Sequence, residues 1–399
     1  MPIFRINSCN LFIALYCIYI FLKARESSSL TGFLLLIITL ISCGYFIFVQ
    51  FKMRQPLMLR WLSILFYMFA FYGIIYILSG ETIYDFEGTP IRNIDYIKKI
   101  GASLLPIYPM YVFAKKKLLT VNLIYCWTPI FILLSIYSFY QYYNHLLNNA
   151  ILAGSSDTEF TNNLGYVFVS LLPLVFIKQK NTVLQYFYIA ICAIFIVAGV
   201  KRGAILIGGI AIIYFFLVSI RNSKGKKKFS SILILSLAAI TASYYISNFI
   251  ETSDYFSYRL QNTLEGNTSG RDQIFSEIWE VFSNEGFFQM LFGNGANSSI
   301  YFTGLLAHND WLEILINQGL LGVIIFSSYN INLYKSWIRY KANQDIGVCL
   351  GGLFIVLFLK TFFSMSYTEY TLYTCIAFGY CAAYISRNQQ VTSIHVKRA

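Results

Sequence analysis

Apolar runs of about 20 residues recur along most of the chain, and they constrain its fold more than any other feature. A helix of about 20 residues crosses the hydrocarbon core of a bilayer, which is about 30 Å thick. Charged residues make up only 12% of the 399 residues, against about 25% in soluble domains. Because a spanning segment must satisfy its own backbone hydrogen bonds, these runs predict helices rather than barrel strands. The predicted fold class is an all-α polytopic membrane protein.

The hydropathy pattern predicts about twelve transmembrane helices, with one large loop between the ninth and the tenth. The predicted spans are 6–22, 30–51, 57–78, 97–114, 118–143, 162–177, 183–200, 203–220, 229–249, 319–334, 346–364 and 371–386. The chain accordingly divides into transmembrane helices one to nine (1–249), a large loop with short amphipathic helices (250–318), transmembrane helices ten to twelve (319–386) and a cytoplasmic tail (387–399).

Basic residues determine the predicted orientation. With the N-terminus in the cytoplasm, the inner loops and tails collect two thirds of the 30 Lys and Arg residues and only one acidic residue, Asp345. Cytoplasmic loops of membrane proteins carry such a basic excess. Both termini are therefore predicted to be cytoplasmic, and the large loop is predicted to lie outside. The net charge of +12 reflects these short loops, so it does not predict nucleic-acid binding.

The eight cysteines lie in apolar segments, without CxxC spacing and outside the large loop. We therefore predict neither a metal site nor a disulfide framework. The chain has an apolar run from Leu11 without a small-residue cleavage site after it, so we interpret this run as a retained first helix.

Some basic residues at the outer ends of predicted helices oppose this charge bias. Lys98 and Lys99 begin the fourth span, Lys201 and Arg202 separate the seventh from the eighth, and Lys360 lies near the outer end of the eleventh. A basic group at membrane depth costs a few kcal/mol, so such residues are functional candidates. Snorkelling to head groups explains Lys98 or Lys99 taken singly. Arg202, in a tight turn among small residues, has a planar fork that suits a phosphate or pyrophosphate.

The large loop contains half of the 18 acidic residues and a second candidate arginine, Arg271. Arg271 follows Ser269-Gly270 and precedes a predicted amphipathic helix, which either Ser269 or Asp272 would cap. Trp279 on that helix is predicted to anchor it at the membrane surface. Arg271 either pairs with a neighbouring acid, Glu265 or Asp272, or serves a functional site.

Downstream, the loop carries a histidine in the sequence Ala307-His308-Asn309-Asp310. His308, Trp311 and Leu315 are predicted to share one helical face near the membrane surface. A lone histidine is more often structural, but this one lies in the same outer loop as the candidate arginines. A neutral imidazole in that position would suit a general base.

The order, spacing and common side of these short motifs resemble the bacterial O-antigen ligase/polymerase family. The motifs that carry the resemblance lie between about Gly199 and Gly322, and they are Lys201-Arg202-Gly203, Gly270-Arg271 through Trp279, Leu291-Phe292-Gly293-Asn294-Gly295, Ala307-His308-Asn309-Asp310 and Gly319-Leu320-Leu321-Gly322. Each motif is weak alone, and the set is more specific. The first 190 residues resemble the family only in being helical membrane sequence.

The resemblance implies an inverting glycosyltransferase embedded in the bacterial inner membrane, with no metal, nucleotide sugar or other cofactor. Its donor would be a glycan on undecaprenyl pyrophosphate, and its partners would be a glycan or lipid A core acceptor, the lipid bilayer and a chain-length regulator. Arg202 and Arg271 would hold the donor pyrophosphate, and His308 would deprotonate or orient the acceptor hydroxyl. The residues expected to bind substrate are Lys201, Arg259, Asn309, Asp310 and Lys360. Because the loop is rich in acids, Arg259 or Lys201 is an alternative to Arg271 as the second cation.

The resemblance leaves the acceptor open. A polymerase of O-antigen or capsular polysaccharide would extend a lipid-linked repeat unit, whereas a ligase would transfer the finished glycan to lipid A core. The aromatic, Tyr- and Ile-rich composition favours the polymerase. A transporter such as a flippase would also need outer cations, but such carriers more often show repeated halves and charges near mid-membrane. A membrane scaffold without activity is the remaining class.

Overall fold

The computed structural model describes residues 7–25, 28–85, 87–152, 162–177, 182–222, 225, 228–229, 261 and 271–398. Within these ranges the chain is mostly helical, and a single short hairpin pairs β1 (Ile83–Tyr84) antiparallel with β2 (Pro90–Ile91). The predicted all-α class is confirmed for this part of the chain. The predicted ninth span beyond Phe229, and most of the large loop before Arg271, lie outside the described residues.

The described helices follow one another along the chain with short connections. The first nine are α1 (Ser8–Ala24), α2 (Ser28–Lys52), α3 (Leu57–Ser79), α4 (Asn93–Leu104), α5 (Ile107–Lys115), α6 (Val121–Leu152), α7 (Gly165–Val175), α8 (Thr182–Ala198) and α9 (Arg202–Asn222). After the gap come α10 (Arg271–Asn284), α11 (Phe287–Phe292), α12 (Ser298–Thr303), α13 (Asp310–Tyr340), α14 (Gly347–Phe363) and α15 (Leu372–Arg398).

Among the described residues, five helices are long and apolar enough to cross a membrane, and these are α2, α3, α6, α9 and α13. Four shorter apolar helices, α1, α7, α8 and α14, accompany them. Large apolar side chains such as Leu40, Phe71 and Ile194 are exposed on these helices. Exposed apolar side chains along spanning helices are suited to contact with lipid, which supports a polytopic membrane protein. The number of twelve spans stays a prediction from the sequence.

The predicted fourth span, 97–114, is instead two short helices, α4 and α5, separated at Leu105-Pro106. Proline lacks a backbone N–H, so the hydrogen-bond ladder of the helix is interrupted there. All residues of α5 from Ile107 to Ala114 are buried. A Cβ on Gly379 of α15 would lie 2.6 Å from Met110 Cβ, so α5 packs closely against α15. These two helices form the centre of the described bundle.

Candidate functional site

A break in α13 shapes the region around the candidate residues. Gly319 has φ +65° and ψ −163° inside the helix, which is a non-helical conformation. A Cβ on Gly322 would lie 2.9 Å from Ile314 Cγ2, although residues eight apart in a straight helix are separated by about 12 Å along its axis. The helix therefore turns sharply at Gly319. Its first half, Asp310–Gln318, lies beside the second half, Leu320–Tyr340, which is the part that corresponds to the predicted tenth span.

The Gly-Asn-Gly turn before α12 satisfies the backbone groups that this break leaves without helical partners. The backbone N–H of Asn294 donates to Ile316 O at 2.9 Å, and that of Gly295 donates to Asn317 O at 3.0 Å. When a helix ends at Gly319, its last carbonyl groups have no N–H donor within the helix. Buried carbonyl groups need donors from elsewhere in the chain. The turn thus caps the first half of α13.

Glycine is required on both sides of this contact. Gly293 has φ +78°, and a Cβ there would overlap the backbone carbonyl of Asn317. A Cβ on Gly319 would lie 2.5 Å from Gly293 N and 2.6 Å from the Leu291 carbonyl carbon. Two motifs that are distant in sequence therefore form one close backbone contact, and this contact gives both a structural explanation.

Helix α10 is amphipathic, as predicted, and its apolar face packs near the histidine loop. Ile278 and Phe282 of α10 form a small core with Ala307, Leu315 and their apolar neighbours. Trp279 points away from this core and is 58% exposed. The packing brings Arg271, the first residue of α10, towards His308. Ser269, Gly270 and Arg259 lie outside the described residues, so their predicted roles stay predictions.

The residues that flank His308 hold its loop through internal hydrogen bonds. The Asn309 side chain accepts from the backbone N–H of Trp311 at 3.0 Å and of Leu312 at 3.3 Å, so it caps α13. The Asp310 carboxylate accepts from Ser366 N at 3.0 Å and from Ser366 Oγ. Because Asp310 is fully buried, its side chain holds the loop against the α14–α15 connection and has no surface for a substrate.

A buried glutamate holds the other side of the loop. Glu313 accepts from the Ala307 N–H at 2.6 Å and from Ser299 Oγ at 2.6 Å, and Asn317 Nδ2 donates to it at 3.3 Å. His308 lies between these two anchors with φ +51°, a left-handed backbone conformation that only a few per cent of non-glycine residues adopt. Strained conformations of this kind cluster at functional sites. His308 is exposed, whereas Ala307 and Asp310 are buried.

The helical prediction for His308 is therefore wrong. Helix α13 begins at Asp310, because Asn309 caps it with an extended backbone conformation. His308 precedes the cap and does not share a helical face with Trp311. The Trp311 ring instead turns towards α14, where its Nε1 donates to Thr361 Oγ1 at 2.9 Å.

Two of the candidate cations act on the imidazole. Desolvation lowers the pKa of His308 below its ordinary value of 6.5, and the charges of Arg271 and Lys201 lower this pKa further, while Glu369 opposes them. A lowered pKa keeps the imidazole neutral at neutral pH. The ring therefore can accept a proton or a hydrogen bond, as a general base must.

Lys360 lies in the same neighbourhood, but it is buried and paired. Its Nζ donates to Glu369 Oε2 at 2.7 Å and lies 5.4 Å from the centre of the Tyr166 ring. Glu369 is a functional candidate that the sequence analysis missed. Glu369, its partner Lys360 and His308 lie on three different elements, and only the folded structure brings them close together. The signal available in the sequence was that Glu369 is the single acid between the predicted eleventh and twelfth spans.

The turn that carries Lys201 and Arg202 packs next to Tyr166. A Cβ on Gly203 would overlap Tyr166 Oη, so only glycine allows this approach. Val200, before the two basic residues, has φ +50°. Arg202 is the first residue of α9. The structure thus brings Lys201, Arg271 and His308 together beside the Lys360–Glu369 pair. Arg202 directly precedes Gly203, the glycine that lies against Tyr166.

A cavity of about 640 Å³ opens beside this cluster, with Tyr166, Lys360 and Glu369 in its lining. Its size is in the usual range of about 300–1,000 Å³ for ligand pockets. We call His308, Lys201, Arg202, Arg271, Lys360 and Glu369 the reaction cluster. The cluster combines fixed cations, a neutral imidazole and a cavity for a substrate.

Residues 187–327 match a family model described as O-antigen ligase. This segment, about a third of the chain, is similar to the O-antigen ligase family. The matched segment contains Lys201, Arg202, Arg271, His308 and the break at Gly319, which confirms the resemblance carried by the short motifs. Members of this family are glycosyltransferase-like enzymes, and lipid-linked glycans and the bilayer are the substrates and surroundings that the family suggests. No curated protein matches the chain.

The anchors of the histidine loop are testable through Asp310. Asp310→Asn should lower the free energy of unfolding by about 1–3 kcal/mol, because one carboxyl oxygen acceptor is replaced by an amide N–H that faces the Ser366 N–H. The measurement is the melting temperature of the purified variant in detergent. Glu280→Gln, an exposed change on α10, is the matched control and should leave the melting temperature unchanged. An unchanged Asp310→Asn melting temperature would contradict the anchoring role.

Proposed function

We propose that this protein is a polymerase of O-antigen or capsular polysaccharide, acting at the periplasmic face of the bacterial inner membrane. It would join repeat units carried on undecaprenyl pyrophosphate, with both termini of the chain in the cytoplasm. The observation that carries the proposal is His308 on its anchored loop, with a lowered pKa caused partly by Arg271 and Lys201. This arrangement provides a base and an anion site side by side, in the segment that matches the family.

The proposed reaction is an inverting displacement at the anomeric carbon of the donor sugar. The acceptor hydroxyl oxygen forms a new bond to that carbon, while the bond from the carbon to the pyrophosphate oxygen breaks. His308 takes the hydroxyl proton, and undecaprenyl pyrophosphate leaves with the bonding electron pair. No metal takes part in this proposal, because fixed cations supply the stabilisation that the leaving group needs.

The cations act on the leaving group. Negative charge increases on the pyrophosphate as its bond to the sugar breaks, and preorganised cations stabilise this charge more in the transition state than in the ground state. Arg271 and Lys201 are the cations whose charge reaches His308, and Arg202 follows Lys201 directly. An arginine fork binds phosphate oxygens in charge-assisted pairs. We assign Arg202 and Arg271 to the donor pyrophosphate, with Lys201 in support.

Donor binding would also prepare His308. The pyrophosphate brings negative charge close to Arg271 and Lys201, so their lowering effect on the pKa of His308 is weakened in the substrate complex. The imidazole then becomes a stronger base after the donor has bound. Glu369, which already raises the pKa of His308, would stabilise the imidazolium that forms when the proton is transferred.

A ligase is the second candidate, since the matched family model is described as O-antigen ligase. The ligase would use the same donor and the same cluster, but its acceptor would be lipid A core. The match to glycosyltransferase-like enzymes favours transfer over transport, which was the other class considered from the sequence.

The test is the surface polysaccharide of a strain that lacks the gene and is complemented at matched membrane expression. We expect wild type to restore long chains, and Arg202→Ala, Arg271→Ala and His308→Ala to leave lipid A core with a single repeat unit. Core without glycan, together with accumulated lipid-linked polymer, would identify a ligase instead. Repeat units trapped at the cytoplasmic face would show a transporter. Wild-type banding from all three variants would contradict the site.

A further inference from the structure

The cavity beside the reaction cluster carries further lysines that the proposed donor site does not use. Lys23 is the penultimate residue of α1, and Lys98 and Lys99 lie in α4, and all three line the cavity. These two helices carry none of the residues assigned to the donor. The same cavity reaches Lys360 and Glu369. It therefore connects the reaction cluster with a separate group of cations, which we call the α1–α4 lysines.

The lining of this cavity has a net positive charge. It contains four lysines, against two carboxylates, Asp95 and Glu369. Glu369 is already paired with Lys360. Asp95 lies 3.3 Å from Lys98, but both side chains are well exposed, at 40% and 57%. An exposed pair of this kind contributes little to stability, so Lys98 can readily exchange Asp95 for another anion.

We expect the α1–α4 lysines to lie at the depth of lipid head groups. Helix α1 is apolar up to Lys23, and its exposed side chains include Leu11 at 61% and Ile18 at 51%. A helix with such a surface leaves the hydrocarbon layer at its terminal lysine, where phosphate groups attached to lipids are found. Positive charge at this depth attracts anionic groups. Sequence analysis explained Lys98 and Lys99 one at a time by snorkelling, but three lysines in one cavity favour a shared anionic ligand.

The part of the cavity lining that α1 and α6 contribute is suited to sugar. Tyr16, Tyr19 and Tyr142 provide aromatic surface with hydroxyl groups, and Gln141 provides an amide. Ser138, which also lines the cavity, has a buried Oγ without a hydrogen-bond partner among the described residues. A buried hydroxyl without a partner is destabilising, so binding of a ligand that offers it a hydrogen bond is favoured.

We propose that the α1–α4 lysines bind the phosphate groups of a lipid-anchored acceptor, whose saccharide extends along the cavity to His308. This inference rests on the proposed function, because it assumes that a glycan is transferred at the reaction cluster. Two acceptors have the required chemistry, namely a lipid-linked repeat unit with its pyrophosphate and a phosphorylated lipid A core. In both, the phosphate lies at the membrane surface and the attacking hydroxyl lies on the sugar.

The test counts bound lipid pyrophosphates on the full-length protein in phosphatidylcholine nanodiscs. With undecaprenyl pyrophosphate as the probe and native mass spectrometry as the readout, wild type should bind two molecules. The combined variant Lys23→Ala, Lys98→Ala and Lys99→Ala should keep one, with at least a tenfold loss of affinity for the other. The matched control, Lys52→Ala, Lys335→Ala and Lys341→Ala, removes the same charge at exposed positions of the predicted cytoplasmic side and should keep two.

The two sites fail separately in this experiment. Arg202→Ala with Arg271→Ala should remove the molecule that the lysine variant keeps. If the arginine variant keeps both molecules, the donor assignment in the proposed function is wrong, while the lysine-dependent molecule is still measured by its own variant. Two molecules on the lysine variant would overturn the present inference.

A second probe distinguishes the two acceptors. Hexa-acylated lipid A with both phosphates is titrated against the same proteins in competition with undecaprenyl pyrophosphate. If lipid A displaces the lysine-dependent molecule at a concentration below that of undecaprenyl pyrophosphate, lipid A core is the acceptor. Failure of lipid A to displace it would identify the lipid-linked repeat unit. Binding of both probes unaffected by the three lysine substitutions would overturn the site.

Discussion

His308→Gln should lower the turnover of the purified enzyme by about 10²–10⁴-fold, which is the usual contribution of a general base. Glutamine keeps a polar side chain of similar size but cannot accept the proton of the acceptor hydroxyl. The measurement is the rate of polymer formation from a lipid-linked oligosaccharide in detergent or nanodiscs. Donor affinity should change little, because Arg202 and Arg271, rather than His308, are assigned to the pyrophosphate.

The pH dependence of the wild-type rate should identify the same group. The base acts only when the imidazole is neutral, so the rate should fall as the pH decreases through the pKa of His308. Desolvation, Arg271 and Lys201 hold that pKa below 6.5 in the free enzyme, with Glu369 opposing. The acidic limb of kcat/KM should therefore lie below pH 6.5, and that of kcat should lie higher, because the bound pyrophosphate offsets the cations. His308→Gln should remove this limb.

His145→Gln is the matched control, because it makes the same change at an exposed histidine on α6. Its turnover should stay within about twofold of wild type, as is usual for surface substitutions away from structural features. If His308→Gln kept an acidic limb at the wild-type position and a turnover within tenfold of wild type, another group would be the base. The proposed mechanism would then be wrong at its central residue.

Helices were the part of the fold that the sequence determined best, because apolar runs of spanning length have few alternatives in a membrane. The interruption of the fourth span has a signal in the sequence, Pro106 in its middle, which the prediction of one continuous span did not use. The break at Gly319 was not recognised, and the predicted tenth span began there instead. That break depends on a turn that begins 26 residues earlier in the chain, and no local pattern connects Gly293 with Gly319.

For the candidate site, the sequence identified residues that lie near one another in the structure, but it did not give their geometry. Lys201, Arg271 and His308 were selected by charge and position, and the structure brings them together. His308 was assigned to the wrong face, because the capping role of Asn309 was not weighed against helical spacing. Glu369 was missed because its proximity to His308 arises only when α14 and α15 pack beside the loop.

Several motif residues turn out to support the loop rather than face the cavity. Asn309 caps α13, and Asp310 bonds to Ser366. Gly293 and Gly319 allow two backbone segments to meet. The motif Ala307-His308-Asn309-Asp310 thus combines residues that hold the loop in place with His308, the residue that the loop presents. Sequence alone does not separate the two roles, since both depend on where the side chain points.

Gly319→Ala should lower the free energy of unfolding by more than about 3 kcal/mol and reduce the yield of folded protein sharply. A Cβ at this position meets Gly293 N at 2.5 Å and the Leu291 carbonyl carbon at 2.6 Å. These are backbone atoms, so no side chain can rotate to make room. A positive φ combined with ψ −163° is a conformation that essentially only glycine adopts, and it adds about 1–3 kcal/mol for alanine. The measurements are the melting temperature in detergent and the monodisperse fraction in size-exclusion chromatography.

Gly209→Ala provides the opposite expectation within the same chain. Gly209 lies inside α9, and a Cβ there would meet no atom within 4 Å. Alanine is favoured over glycine in a helix interior by about 0.5–1 kcal/mol, so this variant should melt at or above the wild-type temperature. Gly293→Ala should behave like Gly319→Ala, because the two glycines form one contact. If Gly319→Ala had the same melting temperature as Gly209→Ala, the description of the sharp turn in α13 would be wrong. The position of the loop that presents His308 would then be wrong as well.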